Sequence, residues 1–582
     1  MACQVAERAL GFPGINRIHT DACALPADCE FNQRVLNAMH VRSLVSDEDM
    51  RRIPRSGPLI VVANHPFGGL EGIVLSALRG VRNDVKLLAN YLLGCIPEMR
   101  DSFIFVDPFG GSAAKLKNVA GMKEAIRWVR EGRALGVFPS GEVSHLTWGR
   151  RYVTDPPWSE SIARLVQQTG AAVLPIYFAG RNSALFQVAG LIHPRLRTAL
   201  LPREIAAKQS SSVEIHIGNV ITPQRAAQFS DAADLTAFMR LRTYLLKGRA
   251  IGASAKTIKK SQIPQKTGRE KTIVAAQPQR LMVDEVGRLP ADECLFASGD
   301  YQVFVTTAAS IPTTLREIGR LRELTFRAVG EGTGREIDLD RFDEHYRHLF
   351  VWNNSREEIV GAYRLGLSDE ILATKGIDGF YTRTLFRYDE RLLRQIGPSL
   401  EAGRSFVTAA YQKSHSALSM LWKGVGRFAV ANPRYRNIFG PVSISDRYHS
   451  MTKQLLMAFL GTADHRADLH ALVRPTNPPR WGRIRDCDAE HLSTIVRSVE
   501  DVEELVGEIE SDRRGMPVLL RQYLTLNAKL LGFNIDPDFG DVLDGLVLID
   551  LSKVNRTILD YYMGRQGAKE FLKHHVRFAA ES

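Results

Sequence analysis

Short apolar runs alternate with amphipathic segments through residues 55–245, and this alternation limits the possible folds more than any other feature of the chain. The runs have the length and composition of buried strands, and the segments between them have the apolar spacing of helices. The clearest runs read LIVVAN, FIFV, ALGVF, VLPIYFAG and VEIHIGNVI. Strands interleaved with helices in this way predict an α/β domain with a largely parallel sheet.

A polar, basic segment divides the chain. Residues 247–279 contain no aromatic side chain and few large apolar ones, so they cannot bury enough surface to become ordered. We therefore expect a first domain over residues 1–247, a flexible basic linker over 248–280 and a second domain over 281–582. In the second domain a long helical pattern precedes several strand-like runs, which predicts an α+β domain with an antiparallel core.

Composition excludes several classes of protein. The 582 residues exceed what one hydrophobic core can hold, in agreement with two domains. The sequence contains no apolar run of about 18 residues and no basic start followed by an apolar core, so we expect neither a spanning helix nor a cleaved signal. The six cysteines are scattered without metal-ligand spacing. We therefore expect no metal site, no disulfide framework and a reduced, intracellular chain.

The positive charge is concentrated at the front of the chain. Of the net charge of +12, residues 1–250 contribute +9 and residues 251–280 contribute +6, so the remainder is slightly acidic. Such a distribution suits an anionic partner, either nucleic acid or the anionic face of a membrane. The alternative is a solvated basic surface with no specific partner.

The stretch VVANHPFGGLEG, residues 61–72, ends a predicted strand with reactive side chains. His65 follows the strand directly, Gly68 and Gly69 permit a tight turn, and Glu71 opens the next helix. A carboxylate that holds a histidine fixes its tautomer and makes it a stronger base, able to take a proton from an attacking hydroxyl or amine. The alternatives are a core histidine satisfied by a carboxylate, a nucleophile elbow and a phosphate loop. The absence of Lys-Ser/Thr after the glycines disfavours the phosphate loop.

Three further strand ends extend this pattern. In the runs FIFVDPFGG, VFPSGEVSH and VLPIYFAG, each strand gives way to Gly with Pro or an acidic residue nearby. The carboxyl ends of parallel strands are where an α/β sheet builds its site. With the Asn-His-Pro stretch, their order resembles that of the glycerophosphate acyltransferase superfamily. The resemblance implies acyl transfer without a covalent enzyme intermediate, with His65 as general base and Glu71 as its orienting acid. It also implies an acceptor site lined by Asp107, Ser140, Gly141 and Glu142.

The chain departs from that superfamily at two points. Five residues separate His65 from Glu71 where the superfamily has four, and the acid is Glu instead of Asp. The stretch FPSGEVS lacks the arginine that the superfamily places there to hold an acceptor phosphate. A phosphate-free acceptor would explain this absence.

The second domain carries a different resemblance. The segments LRELTFR, EAGRSFV and FGPVSIS, within about residues 300–555, together resemble the N-acyltransferases that make lyso-ornithine lipid, relatives of the acyl-homoserine-lactone synthases with a GNAT-like fold. The resemblance implies that Glu401 and Arg404 are catalytic, and that Asp338, Asp340 and Arg364 shape the acceptor site. An acceptor amine must lose a proton before it attacks a thioester, so an acidic group is needed as base. The alternative for each residue is a surface ion pair of little energetic value.

The donor-binding loop is unusual. A GNAT fold holds the donor's pyrophosphate on a helix N-terminus, in a loop of the form Gln/Arg-x-x-Gly-x-Gly/Ala. The expected place reads QKSHSA, residues 412–417, with His415 where Gly belongs. Such a loop would clamp CoA poorly, whereas a phosphopantetheine carried by a protein has no adenosine diphosphate to hold. We therefore expect an acyl carrier protein thioester as donor, with CoA as the alternative, and no other cofactor.

Together the two halves resemble the fused ornithine lipid synthases, in which a glycerophosphate-acyltransferase-like O-acyltransferase domain precedes a GNAT-like N-acyltransferase domain. The resemblance implies that the second domain attaches a 3-hydroxyacyl group to ornithine and that the first acylates the new hydroxyl. We expect a peripheral protein on the inner face of the cytoplasmic membrane, with acyl carrier protein and the lipid surface as partners. Nucleic acid is disfavoured, because no aromatic stacking pattern accompanies the basic charge.

Two other functions fit the same residues. One is a lysophosphatidate acyltransferase with a degenerate GNAT-like appendage. The other is an acyltransferase whose second domain only binds acyl carrier protein.

Overall fold

The computed structural model describes residues 7–77, 81–106, 112–149, 152–249, 270–479, 495–496, 498–510 and 515–581. It divides the chain into two compact units, the first formed by Met1–Ser261 with Arg483–Arg514 and the second by Gln262–Gly482 with Gly515–Ser582. Most of the predicted linker, residues 250–269, lies outside the described residues. The predicted linker therefore stays a prediction.

The first unit is built on a seven-stranded sheet. Its strands are β1 (Arg42–Leu44), β2 (Leu59–Ala63), β3 (Val85–Asn90), β4 (Phe103–Val106), β5 (Ala134–Val137), β6 (Ala172–Ala179) and β7 (Ser212–Ile217). They lie in the order β1-β7-β6-β2-β5-β3-β4, and every neighbouring pair is parallel except β6 and β7. The central strand β2 is buried along its whole length, as its unbroken apolar run LIVVA requires. The largely parallel sheet predicted for the first domain is confirmed.

Helices connect these strands, and three short 3₁₀ turns, Tyr91–Cys95, Pro97–Ser102 and Leu246–Arg249, complete this part of the chain. The helices are α1 (Phe12–Ala24), α2 (Phe31–Ala38), α3 (Asp47–Arg51), α4 (Leu70–Ala77), α5 (Ser112–Arg130), α6 (Glu160–Thr169), α7 (Ala184–Ile192), α8 (Pro194–Ala199), α9 (Leu201–Ala206), α10 (Pro223–Ala226) and α11 (Ala232–Leu245). Helix α4 begins directly after the turn that contains His65, and its first turn carries Glu71.

The second unit contains an eight-stranded sheet and a small two-stranded one. Its strands are β8 (Cys294–Ser298), β9 (Tyr301–Thr307), β10 (Arg347–Asn353), β11 (Glu358–Leu367), β12 (Phe386–Arg387), β13 (Ser399–Val407), β14 (Asn437–Ile444), β15 (Arg474–Pro475), β16 (Lys529–Asp536) and β17 (Val542–Asp550). The large sheet has the order β16-β17-β14-β13-β11-β10-β9-β8, and β12 pairs with β15. Every neighbouring pair is antiparallel except β13 and β14, so the predicted antiparallel core is confirmed.

The parallel pair β13–β14 is the main irregularity of this sheet. Within the described residues the two strands pair at three positions, from Ser399 opposite Asn437 to Glu401 opposite Phe439. Both strands then continue, to Val407 and Ile444. The place where neighbouring strands stop pairing in mid-sheet is a candidate for a ligand crevice.

The helices of the second half of the chain are α12 (Gln279–Gly287), α13 (Pro312–Val329), α14 (Ser368–Lys375), α15 (Glu390–Ile396), α16 (His415–Ala431), α17 (Ser450–Leu460), α18 (Val499–Ile509), α19 (Val518–Thr525), α20 (Arg556–Met563) and α21 (Arg565–Glu581). Eight 3₁₀ turns accompany them: Ala291–Glu293, Ala308–Ser310, Ile377–Gly379, Tyr381–Thr384, Ala409–Tyr411, Asp468–Leu472, Pro537–Phe539 and Leu551–Lys553. None of the helices in the described part of the chain is long and apolar enough to cross a bilayer.

Helix α18 belongs to the first unit, although it lies far beyond that unit in the sequence. Its Glu508 accepts hydrogen bonds from the guanidinium groups of Arg242 and Arg249, and all three side chains are buried. Two turns earlier in the helix, Asp501 lies 2.6 Å from the guanidinium of Arg225. The first unit is therefore made of two separate stretches of chain joined by buried charges.

Candidate active sites

The first candidate site lies where β2 ends. The Nδ1 atom of His65 is 2.8 Å from Oε1 of Glu71. The same oxygen accepts hydrogen bonds from the backbone N–H groups of Phe67 and Gly68. Gly68 has a φ of +99°, a conformation that other residues seldom adopt. With Nδ1–H facing the carboxylate, Nε2 of His65 is the nitrogen left to accept a proton.

Burial and charge act in opposite directions on Glu71. Complete burial alone would raise the pKa of this carboxyl, but the charge and hydrogen bond of His65 and two backbone N–H groups lower the pKa below its ordinary value. Glu71 therefore stays ionised at neutral pH and favours the protonated imidazole that forms during proton transfer.

The backbone around His65 is held on both sides. The side-chain amide of Asn64 makes two hydrogen bonds with the backbone of Phe178 on β6. It accepts from the N–H at 2.7 Å and donates to the C=O at 2.9 Å. The buried Asp155 carboxylate accepts the N–H of His65 at 3.2 Å, and also the Ser144 hydroxyl and the indole of Trp158. These bonds fix the position from which the imidazole projects.

His65 faces a cavity of about 620 Å³ within the first unit. Most of its wall is apolar, and it includes Ile15, Ile18, Phe31, Val35, Leu87 and Leu201. The ring of Phe138 stacks on the imidazole, with ring centroids 4.3 Å apart. An apolar cavity of this size with a histidine base at its wall suits an acyl chain.

Glu142 and Arg197 form a charged pair in the wall of the same cavity. An Nη of Arg197, on α8, is 2.6 Å from a carboxylate oxygen of Glu142, and the two side chains are 9% and 58% exposed. Burial lowers the pKa of the guanidinium, which Glu142 partly restores. The cavity thus contains an arginine after all, supplied by a helix and not by the stretch FPSGEVS.

Of the other residues predicted for this site, two line the cavity, one stabilises a nearby loop and one lies outside the described residues. Gly141 and Glu142 line the cavity. The hydroxyl of Ser140 instead donates to the carbonyl oxygen of Glu142, at 2.8 Å, and so stabilises the loop. Asp107 lies outside the described residues. Asn64, Asp155 and Arg197 were not predicted, because they act through partners distant in the sequence.

The second candidate site is a buried network in the second unit. Arg364, on β11, lies 2.6 Å from Asp340 and 3.2 Å from Asp343. Arg404, on β13, lies 3.3 Å from Asp338 and 3.8 Å from Asp340. The structure therefore brings four predicted residues together and adds Asp343, which also pairs with Arg322.

Arg404 is held in an uncommon conformation. Its φ is +52°, in the left-handed region, at an irregularity in the pairing of β11 with β13. The guanidinium lies over the rings of Tyr381 and Phe539, at 4.8 and 4.5 Å, and donates to the Tyr381 hydroxyl. A strained arginine kept in place by several contacts is a common feature of functional sites.

Glu401 sits beside this network, at the last paired position of β13 and β14. Its buried carboxylate accepts the N–H of Thr382 at 2.6 Å, the N–H of Tyr381 at 3.2 Å and the hydroxyl of Tyr346. Burial raises the pKa of this carboxyl, and these donors lower it only in part. These contacts position the turn that carries Tyr381 under Arg404. The catalytic role of Glu401 stays a prediction.

Three further carboxyl groups accompany Arg404 and were not predicted. Burial raises the pKa of Asp544 well above its ordinary value, and the charges of Asp536 and Glu331 raise it further, while Arg404 lowers it. Burial also raises the pKa of both Asp536 and Glu331. Acidic groups whose pKa values are perturbed by burial and by neighbouring charges often mark functional sites.

The predicted donor loop occupies the expected place. Helix α16 begins at His415, immediately after the QKS stretch, and Ser414 caps it by accepting the N–H of Ser416. The free N–H groups of a helix N-terminus bind phosphate. The side chain of His415 lies outside what the structure describes.

One group of potential metal ligands is found among the described residues. His19, Cys23 and Glu98 have ligand atoms within 4.8 Å of one another, and their side chains are partly or largely exposed. Of the three, His19 lines the same cavity as His65. The expectation of no metal stays a prediction.

Comparison with known proteins defines the class. Residues 4–253 match the family described as Acyltransferase, and residues 321–423 match the Acetyltransferase (GNAT) domain. The chain is an acyltransferase, and both of its halves carry an acyltransferase domain.

Two bacterial relatives show the family. Glycine N(alpha)-acyltransferase of Bacteroides thetaiotaomicron is 34% identical over 269 residues, which cover 44% of this chain and 78% of the relative. The protein of that name from Phocaeicola vulgatus is 32% identical over 266 residues, 44% of this chain and 81% of the relative. The chain belongs to the family of these N-acyltransferases.

A third relative has a different name. Lyso-glycine lipid O-acyltransferase of Phocaeicola vulgatus is 26% identical over 144 residues, which cover 24% of this chain and 49% of the relative.

Proposed function

We propose that this chain is a bifunctional synthase of an amino-acid lipid. The second unit N-acylates an amino acid with a 3-hydroxyacyl group, and the first unit O-acylates the hydroxyl of the resulting lyso-lipid. The His65–Glu71 pair at the wall of an apolar cavity carries the proposal for the first unit. Relatives named for an amino-acid N-acyltransferase and for a lyso-lipid O-acyltransferase support the combination.

In the first unit, Nε2 of His65 takes the proton of the lyso-lipid hydroxyl as its oxygen attacks the thioester carbonyl. The C–O ester bond forms, the C–S bond breaks, and the departing thiolate takes the proton back from His65. Glu71 stabilises the imidazolium between these two transfers. The apolar wall of the cavity holds an acyl chain and keeps water from the thioester.

In the second unit, the crevice where β13 and β14 part receives the thioester, and the carboxyl groups around Arg404 receive the amine. Asp544 takes a proton from the neutral amine as its nitrogen attacks the thioester carbonyl. The C–N amide bond forms, the C–S bond breaks, and the departing thiolate takes that proton from Asp544. A base for this step needs a pKa near the working pH, and burial moves Asp544 in that direction. Glu401 positions the Tyr381 turn beside Arg404.

The donor we propose is an acyl carrier protein thioester, because the loop at residues 412–417 lacks the glycines of a CoA clamp. Ornithine is the proposed amino acid. The basic charge of residues 1–280 supports a peripheral position on the inner face of the cytoplasmic membrane, where the lipid product belongs.

Expression in a bacterium that lacks amino-acid lipids, followed by mass spectrometry of the lipid extract, tests the proposal. The natural chain should yield a di-acylated amino-acid lipid. His65→Ala should lower its formation by about 10²- to 10⁴-fold and leave the mono-acylated lipid accumulating. Lys123→Ala, on α5, is the control and should behave as the natural chain. Continued formation of the di-acylated lipid by His65→Ala would show that the histidine is structural.

The presence of Arg197 in the cavity wall supports one competing function. A guanidinium in the cavity suits an acceptor phosphate, as in a lysophosphatidate acyltransferase. The adjoining Glu142 carboxylate opposes this, since a phosphate dianion would be repelled by it. Purified protein supplied with lysophosphatidate and with lyso-ornithine lipid separates the two functions, and we expect acylation of the second only.

A further inference from the structure

The guanidinium of Arg197 has hydrogen-bonding capacity left over. In the described part of the chain, the guanidinium of Arg197 makes one hydrogen bond, to Glu142, although it has five N–H donors. The side chain is 9% exposed and lines the cavity. Its stem packs over Gly190, where a Cβ would lie 3.2 Å from Cδ of Arg197, so a larger residue would displace it. The remaining donors are therefore held toward the cavity and can bind an anion.

Glu142 differs from its partner in mobility. Its side chain is 58% exposed, and it follows Gly141, which has a φ of +64° and open space around it. A carboxylate in this setting can rotate away from Arg197 by breaking only its hydrogen bond to that guanidinium. One partner of the pair is thus fixed and the other is adjustable.

Resting on the proposed function of the first unit, we propose that Glu142 and Arg197 select a lyso-lipid with a zwitterionic headgroup. Arg197 binds the headgroup carboxylate, and Glu142 turns to bind an ammonium on the amino-acid side chain. The Arg197–Glu142 ion pair is then replaced by two ion pairs with the acceptor, one to each side chain. The pair therefore favours an amino acid with a cationic side chain.

Other headgroups fit this pair less well. A lyso-glycine headgroup has a carboxylate but no free ammonium, because its nitrogen is in the amide. It would occupy Arg197 and leave Glu142 without a partner. A phosphate would add more negative charge beside Glu142. The cost of separating the pair is recovered only when the acceptor supplies both charges.

The test uses the purified full chain with two acceptors that share the same three-carbon side chain but differ in its terminal group. One is N-(3-hydroxyacyl)-ornithine, and the other is N-(3-hydroxyacyl)-citrulline, in which a neutral ureido group replaces the ammonium. We expect kcat/KM of the natural chain to be at least about 10-fold higher for the ornithine acceptor. Glu142→Gln, which removes the charge and keeps the shape, should reduce that preference to about 2-fold or less. Arg197→Gln should reduce kcat/KM for both acceptors.

Glu131→Gln is the matched control. Glu131 is an exposed carboxylate that pairs with Arg133 at the end of α5, so its loss should leave the acceptor preference unchanged. Equal rates of the natural chain with both acceptors, or an unchanged preference in Glu142→Gln, would overturn the inference while leaving O-acylation intact. Acylation of neither acceptor would overturn the proposed function itself.

Discussion

Asp544 is buried on β17 near two other carboxyl groups, Asp536 and Glu331, and its neighbouring cation is Arg404. Such a group is costly to keep ionised, because burial and like charges both favour the neutral form. Proteins that retain buried acids of this kind commonly use them for binding or proton transfer. An ionised Asp544 therefore destabilises the second unit, whereas the proposed proton transfer requires its carboxylate.

We expect Asp544→Asn to stabilise the second unit and to impair N-acylation. The folded-state pKa of Asp544 is raised above the unfolded value of about 3.9, so this residue costs no stability below about pH 4 and destabilises the fold as pH rises through the folded pKa. The Asn variant has no such loss. Its melting temperature should exceed that of the natural chain at pH 7 to 8, and the difference should vanish near pH 4.

Thermal unfolding followed between pH 4 and pH 8 measures this difference. Asp378→Asn is the control, because Asp378 is 83% exposed and should change the melting temperature little at any pH. An Asp544→Asn chain less stable than the natural one at pH 7 would contradict the prediction. Unchanged N-acylation would remove Asp544 as the base.

Local sequence predicted the His65–Glu71 pair because both partners lie on one strand–turn–helix unit, where spacing sets the geometry. No local spacing pattern of this kind surrounds Arg197, Asp155 or Asp544 in the sequence. Each reaches its site through tertiary packing, and nothing in their sequence neighbours distinguishes them from ordinary surface charges. The prediction that Arg364, Arg404, Asp338 and Asp340 share a site depended on resemblance.

Among the elements, the pair β13–β14 depends on one glycine for its spacing. Gly440 follows the last paired residue of β14, and a Cβ built there would collide with the carbonyl oxygen of Ala402 on β13. This contact involves backbone, which cannot move aside as a flexible side chain can. The close approach of the two strands at the mouth of the crevice therefore requires Gly.

We expect Gly440→Ala to force β13 and β14 apart and to abolish most N-acylation. The cost of such overpacking is about 1–3 kcal/mol or more. Amide hydrogen exchange should rise in peptides that contain the two strands, while O-acylation persists. Gly403→Ala is the matched control, because a Cβ at Gly403 on the neighbouring strand meets nothing within 4 Å. Equal effects of the two substitutions would show that the close approach is unimportant.

The strands that sequence predicted best are those with continuous apolar runs, such as β2 and β6, which are buried on both faces. Strand β3, which was not predicted, is only half-buried and carries Lys86 and Asn90. The three-residue β1 is fully exposed and was also missed. Its existence follows from pairing with β7, which no local pattern indicates.

At the scale of the whole molecule, the first unit is completed by helix α18 from the second half of the chain. Glu508 on this helix neutralises Arg242 and Arg249, and it also accepts the N–H of Asn219 at 2.8 Å. Sequence analysis assigned this helix to the second domain, because only tertiary contacts reveal which core a helix joins. The distant ion pairs could not be seen in the order of residues.

We expect Glu508→Gln to destabilise the first unit by about 1–3 kcal/mol, since it removes the charge that two buried guanidinium groups share. Glu504 remains beside Arg242, and Asp49 remains beside Arg249. In urea, O-acylation should be lost at a lower concentration than in the natural chain, while N-acylation is lost at an unchanged one. Glu500→Gln, at an exposed position of the same helix, should shift neither midpoint. Equal shifts of both activities would contradict a local role for Glu508.

The return of α18 to the first unit has a consequence for synthesis on the ribosome. Arg249 and Glu508 are 259 positions apart in the chain. At a translation rate of roughly 5–20 residues per second, the arginine is made about 13 to 50 s before the glutamate exists. During that interval Arg242 and Arg249 lack the carboxylate that they share in the folded unit, so the first unit completes its internal ion pairs only after most of the other half has been made.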